Sequence, residues 1–264
     1  HILMMSGIGA GQELVEWGIP VARDLPGVGQ NLQDHLQARP IFKTNLSTIN
    51  VEVKSWLRKT MMGIEYALRR TGPMTMAASL GTGFLKTHPG LATPDIQFHI
   101  QPFSANNAVE GTHPFSAFTA SVLQLRPESK GFLKLKSADS RIYPAIHPNY
   151  LATTKDQTTI VKGIQIARKI ASFDPLKSHI TEEYAPGRDI AFDDEAGTLE
   201  WARNTSVTIY HPTGTCKMGN DAMSVVDARL QVYGIKGLRV ADASIMPTIT
   251  SGNTNAPSIM IGEK

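Results

Sequence analysis

The stretch Tyr210–Gly219, YHPTGTCKMG, is dense in groups that can do chemistry. It holds one of the chain's eight histidines and its single cysteine. An imidazole has an ordinary pKa of about 6.5, so His211 can take a proton from a substrate near neutral pH. Pro212 restricts the backbone of His211 toward extended geometry, and Gly214 lets the chain turn sharply just beyond it. The residues alone leave two uses open, a general base held in a tight turn and an ordinary loop histidine. Cys216 follows soon after. A catalytic thiol needs a lowered pKa and an open cleft, and nothing in the sequence argues for either, so a small residue packed beside the site is expected.

Other chemistry is poorly represented. SGIG lacks the lysine and the spacing of a phosphate-binding P-loop, and Ser6 and the other serines lack a G-x-S-x-G setting. No histidine and carboxylate spacing suggests a metal site. Of the remaining histidines, His88 precedes a turn proline and His99 falls on the polar side of a strand. His113, His147 and His179 fall in loops or at helix edges, and His1 is the first residue.

The elements that must position His211 are legible in outline. Apolar residues make up 41% and charged residues 19% of 264, which is a globular composition long enough for one large or two modest domains. The net charge of +3 is spread among interspersed signs, so no nucleic-acid partner is indicated. No run approaches the roughly 20 apolar residues of a membrane span. A single cysteine fits a reducing compartment, and the expected location is cytoplasmic or peripheral to the inner membrane. The chain opens inside an apolar run, HILMMSGIG, and stops at APSIMIGEK where a helix is under way. We therefore read it as an internal fragment of a longer protein.

QELVEWGIPVARDLPG reads as a short helix stopped at Gly18, followed by a strand-like IPVARDL. Val53 to Arg70 reads as an amphipathic helix ended by TGP. DIQFHIQPF alternates as a half-buried strand. AFTASVLQLR and GFLKLKS alternate too and are expected to form a hairpin through PESKG. TKDQTTIVKGIQIARKIASF opens with Thr154 and Gln157 at capping-box spacing and continues with helical periodicity. GLRVADAS reads as a short strand running into Asp242, and the stretch after Pro257 as the first turns of a helix.

Taken in order, LMMSGIGA, DLPGVGQNLQDH, YHPTGTCKMG and GLRVADASIMPTITSGNTNAPSIMIGEK resemble the C-terminal half of a glucose–methanol–choline oxidoreductase. FTASVLQLRPESKGFLKLKS and PAIHPNYLATTKDQ resemble the bacterial choline-dehydrogenase-like branch of that family. The resemblance implies an α/β plus α+β fold. Part of an FAD-binding Rossmann-like domain would carry an inserted substrate domain built on an antiparallel sheet flanked by helices. On that reading residues 1–36 and 203–264 belong to the FAD domain and residues 37–202 to the substrate domain. The family's G-x-G-x-x-G fingerprint, which seats the ADP part of FAD at a helix N-terminus, is absent. Neither GIGAGQ nor GVGQNL has its spacing. It is expected upstream of His1, and the fragment by itself is expected to be inactive.

The resemblance also implies roles. His211 corresponds to the histidine that faces the flavin and acts as base. Asn253, aligned through MPTITSG, corresponds to its partner. A carboxamide can donate to the substrate oxygen without competing for its proton, although Asn253 and Asn255 also suit a turn. Asn253, Thr254 and Asn255 are expected to contact the flavin. Asp242 and Ala243 are expected beside the ribityl and pyrophosphate part of FAD, the former through hydrogen bonds to backbone or hydroxyls, or as a cap. His35, at the end of NLQDH, is expected to be structural. The implied activity is oxidation of an alcohol, choline-like or primary, to an aldehyde. The proton would go to His211 and the hydride to flavin N5, with a quinone or oxygen as final acceptor. A hydroxynitrile lyase of the same fold and a non-catalytic fragment are the competing readings.

Overall fold

In a computed structural model, which describes residues 1–76, 79–106 and 111–264, the chain is mixed α/β and divides into two units. The first comprises His1–Leu36, Leu125–Asp156 and Thr208–Lys264. Its core draws Met4 and Leu14 from the first segment, Leu135 from the second, and Val225, Val226 and Ile245 from the third. Burying each such side chain is worth about 1.5–3 kcal/mol, and this common core joins segments far apart in sequence. Gly27 is needed where the segments meet, because a Cβ there would lie 2.1 Å from the Met223 carbonyl oxygen.

Several expectations for this unit need correction. Residues 125–156 group with the two chain ends rather than with the middle block. The reason is backbone pairing: Leu133 N–H donates to the Gly29 carbonyl at 2.7 Å, and Gly131 and Leu32 exchange bonds of 2.8 and 2.9 Å. The expected hairpin through PESKG does not form. Phe132–Lys134 pairs instead with Ala145–His147, antiparallel. IPVARDL contributes only Arg23–Asp24, parallel to Ile8–Gly9. Ala22 and Arg23 both donate to the Gly7 carbonyl, at 2.8 and 3.1 Å. GLRVAD forms a single bridge, Arg239 with Gln231, and no named strand.

The helix after SGNT runs Asn255–Glu263, with Pro257 in its first turn, where the missing N–H has no cost. The helix Thr154–Ala171 also starts one residue differently from the capping-box reading. Thr153 Oγ1 accepts from the Asp156 N–H at 3.3 Å, while the Asp156 carboxylate is taken up by the N–H groups of Glu128 and Ser129.

The second unit comprises Gln37–Gln124 and Gln157–Val207. Its centre is the strand Ala117–Gln124, buried along nearly all its length. Ile96–Gln101 pairs with it on one side, and Ile41–Thr44 and residues Gln37 and Ala38 pair with it on the other, all antiparallel. Gly81–Leu85 extends the sheet beyond Ile96–Gln101, and Ile180–Ala185 extends it beyond Ile41–Thr44. The strand Ile96–Gln101 forms where DIQFHIQPF predicted one, but its burial does not alternate as expected, since Gln97 is buried and Ile100 is exposed.

Helices flank the sheet. Ile160, Ile164, Ala167 and Ala171, spaced by three or four residues, form the buried face of the long helix. Gly163 lets this helix approach the sheet, since a Cβ there would come within 2.7 Å of Val122 Cγ2. The amphipathic segment becomes the helix Trp56–Arg69, capped by Ser55, with Leu57, Met61, Ile64 and Leu68 exposed along one face. Among the described residues, no helix is long and apolar enough to cross a membrane.

Candidate active site

The first unit brings two distant motifs side by side. Gln33 and Thr213 exchange backbone hydrogen bonds of 3.0 and 2.8 Å, and the Ile209 N–H donates to the His35 carbonyl at 3.1 Å. This antiparallel register sets His35 opposite His211. Gly214 follows with φ +91°, and a Cβ there would meet the Asn31 carbonyl oxygen at 2.4 Å, so the turn beyond His211 requires glycine. Tyr210, just before it, also has a left-handed backbone, φ +64°, with an exposed side chain. Such a conformation costs a non-glycine residue about 1–3 kcal/mol. Thr208 Oγ1 accepts from the Tyr210 N–H at 2.9 Å and helps hold this bend.

His211 is 8% exposed and both of its ring nitrogens are addressed. Its Nδ1 lies 3.0 Å from Nδ1 of His35, with the rings edge to face at 82°. Its Nε2 lies 3.4 Å from Nδ2 of Asn253. Burial lowers the pKa of His211 below its ordinary value, and the nearby Asp34 carboxylate opposes the shift without reversing it. The imidazole is therefore neutral at pH 7 and able to accept a proton.

Asp34 is the anchor of the cluster. Its Oδ1 accepts from the backbone N–H of His35 at 2.9 Å and from that of His211 at 3.0 Å. Its Oδ2 accepts from the hydroxyls of Tyr150 and Thr208. Four donors on one carboxylate tie together all three segments of the unit. Burial and the Asp34 charge push the Tyr150 phenol far above its ordinary range, so it stays protonated and donates.

Asn253 is exposed and is placed by the same motif from the other side. Gln33, 2% exposed, donates from Nε2 to the Pro247 carbonyl at 3.1 Å and accepts at Oε1 from the Ile249 N–H at 3.3 Å. Asn31 donates from Nδ2 to the carbonyls of Gly214 and Pro247, each at 3.2 Å. Arg126 Nη1 donates to Ser251 Oγ at 3.1 Å. The run from Pro247 to Asn253 is thereby fastened at three points. Thr254, buried, is the N-cap of the following helix but makes no side-chain cap, and Asn255 is exposed at the helix start.

His35, expected to be structural, is fully buried, and its ring touches that of His211. Asn31, Gln33, Asp34 and Tyr150 were passed over altogether. The signal was present in NLQDH, four polar residues around Leu32 shortly after a glycine turn. Sequence cannot tell that such a run is buried and aimed inward.

Asp242 lines a separate cleft of about 440 Å³ together with Val28, Gly29, Cys216, Ala241 and Ser244 among others, and Ala243 is not part of that lining. Asp242 caps a short turn, its Oδ1 accepting from the Ser244 N–H at 2.7 Å. The backbone N–H groups of Ala241, Asp242 and Ala243 have no acceptor among the described residues. They are free to donate to an anionic or hydroxyl-rich ligand. Cys216 is packed at this cleft, and burial raises its thiol pKa, which argues against a thiolate nucleophile.

The GMC oxidoreductase family model matches residues 127–262. The alcohol dehydrogenase [acceptor] of Pseudomonas putida is 40% identical over 264 residues, covering 100% of this chain and 48% of that protein. The mitochondrial choline dehydrogenase of Mus musculus is 40% identical over 269 residues, covering 100% of this chain and 44% of its own. A variant of formate oxidase from Aspergillus oryzae RIB40 superposes with a TM-score of 0.86 at 25% identity, over 99% of this chain and 50% of that one. Pyridoxine 4-oxidase from Mesorbium loti superposes with a TM-score of 0.81 at 26% identity, over 99% and 47%. The chain spans about half the length of the curated relatives it matches. On the family match, which covers residues 127–262, this chain belongs to the GMC oxidoreductase family.

Proposed function

We propose that the protein containing this chain is an FAD-dependent oxidoreductase that converts the CH–OH group of an alcohol to an aldehyde. The observation that carries this reading is the 3.4 Å approach of His211 Nε2 to Asn253 Nδ2, with a neutral ring on one side and an exposed carboxamide on the other. His211 Nε2 takes the hydroxyl proton, and Asn253 donates to the same oxygen as negative charge develops on it. FAD, when bound, supplies the acceptor for the hydride that leaves carbon.

The first unit has features that fit part of this cofactor. The open N–H groups of Ala241–Ala243 suit its hydroxyl-rich or anionic portion, and Asp242, already engaged by Ser244, suits a role as cap rather than phosphate partner. The start of the helix Asn255–Glu263 adds the positive end of a dipole beside Asn253. On this reading the first unit is the FAD side and the second the substrate side. The family relatives named choline dehydrogenase and alcohol dehydrogenase [acceptor] support a choline-like or primary alcohol. They also support an acceptor other than NAD, a quinone or oxygen. The protein would act in the cytoplasm, or at the periphery of the inner membrane where a quinone is at hand.

The test is anaerobic mixing of the full-length, FAD-loaded protein with a panel of alcohols. An oxidising enzyme bleaches the flavin absorbance with at least one of them. If His211→Ala bleaches as fast as the parent, His211 is not the base.

A further inference from the structure

We infer that His35 is a positioning residue that sets the protonation form of His211, through a directed chain of hydrogen bonds from the Leu125 carbonyl to the His211 ring. The inference rests on the reading of His211 as base. Nε2 of His35 lies 3.0 Å from the Leu125 carbonyl oxygen, and a carbonyl only accepts. That nitrogen must therefore carry a proton. His35 is fully buried, and a second proton would place a cation in the interior at high cost. A neutral imidazole with its proton on Nε2 has a bare Nδ1, which accepts. The 3.0 Å contact between the two Nδ1 atoms needs one proton, and His211 must supply it. A neutral His211 with its proton on Nδ1 has a bare Nε2. That is the nitrogen beside Asn253 Nδ2, and the one a base must present.

The other tautomer of His211 would put a proton on Nε2, next to a carboxamide N–H. It would set two donors against each other at one end of the ring and two lone pairs at the other. Asp34 cannot reverse the assignment from behind, because the bonds it accepts in this cluster come from backbone N–H groups and hydroxyls. The chain also acts during the reaction. When Nε2 takes the proton, the ring becomes a cation whose Nδ1–H still points at His35. That hydrogen bond is then charge-assisted and stronger than before. His35 stabilises the cation only as it forms, so its effect falls on rate rather than on binding.

The experiment uses the full-length, FAD-loaded protein and anaerobic stopped-flow reduction by a saturating alcohol. His35→Leu removes the acceptor while filling much of the space. Its limiting reduction rate should fall about 10- to 100-fold, the loss expected for a hydrogen bond to a group that becomes charged. The substrate dissociation constant should stay within about threefold, as for an interaction made mainly in the transition state. His35→Asn restores an acceptor oxygen at the δ position and should recover most of the rate.

An independent readout needs no variant of His35. Nitrogen NMR of histidine-labelled holoenzyme, with the His211 signals identified by their loss in His211→Ala, should show Nδ1 protonated and Nε2 bare. The inference is overturned if His35→Leu reduces at the parental rate, if the Asn and Leu variants lose equally, or if Nε2 of His211 carries the proton. A parental rate in His211→Ala would overturn the base itself. A dead His211→Ala beside a fully active His35→Leu would remove only the chain proposed here.

Discussion

Each unit holds a buried histidine in a polar cluster, and the two clusters are built differently. In the second unit His113 is 7% exposed, with Nδ1 3.0 Å from Ser104 Oγ and Nε2 2.8 Å from Asn106 Oδ1. Its ring stacks on Phe115 at 5.0 Å and meets Tyr184 edge-on at 5.1 Å. Both nitrogens are engaged by neutral groups of the same unit, and the ring serves to organise loops through Asn50 and Ser104. In the first unit His211 is almost as buried, but only Nδ1 faces inward, to His35. Nε2 meets an exposed residue, Asn253. Burial alone does not make a histidine a base. One nitrogen must be secured and the other must open onto the place where a substrate can come.

This contrast can be broken most directly at His211. Replacing it with alanine should lower the limiting rate of flavin reduction by about a thousandfold, within the usual range for a general base. His113→Ala should leave that rate within about twofold, since both of its ring nitrogens are engaged by neutral groups of the second unit. Its cost should appear instead in stability, about 1–3 kcal/mol for the polar groups it leaves unpaired, read from a denaturant melt. If the two variants changed places, the distinction between the clusters would be lost.

The other end of the His211 ring offers a second handle. Asn253→Ala should slow reduction by about a hundredfold, as for removal of one donor to a developing oxyanion, with melting unchanged because the residue is exposed. The smallest effect expected is on pH dependence. Burial holds the pKa of His211 below about 6.5, so the neutral, proton-accepting form is the populated one at pH 7. The reduction rate should be flat through neutral pH and fall only as pH drops below that ordinary value. A profile that falls on the alkaline side of 7 would mean that the cationic form is the active one.

Much of the second unit was legible because its signals are local. The helix Trp56–Arg69, the strand Ile96–Gln101 and the helix Thr154–Ala171 form where patterns contained within each segment predict them. The hairpin expected through PESKG went wrong for the opposite reason. Alternation says that GFLKLKS favours an extended chain, but not which strand it will meet, and Ala145–His147 competes successfully for it. GLRVAD likewise has the composition of a strand, yet with only Gln231 as a bridge partner at Arg239 it remains a loop ending in the Asp242 cap.

At the site, the residues of YHPTGTCKMG left His211 open between a base and a loop histidine, and both its role as base and its pairing with Asn253 came from resemblance. Neither source pointed to His35, which was assigned a structural place.

What the sequence determined by itself was the chemistry on hand and the local shape around it: an imidazole between a proline and a glycine, a carboxamide before a helix, and glycines where the chain must bend. The tertiary structure decided which groups meet. His35 and His211 are separated by 176 positions, and Asp34 reaches Tyr150 across 116. Hydrogen bonding acts over about 3 Å. Partners so distant along the chain are chosen by the common core and by the register of Gln33 against Thr213, and no local pattern encodes that register.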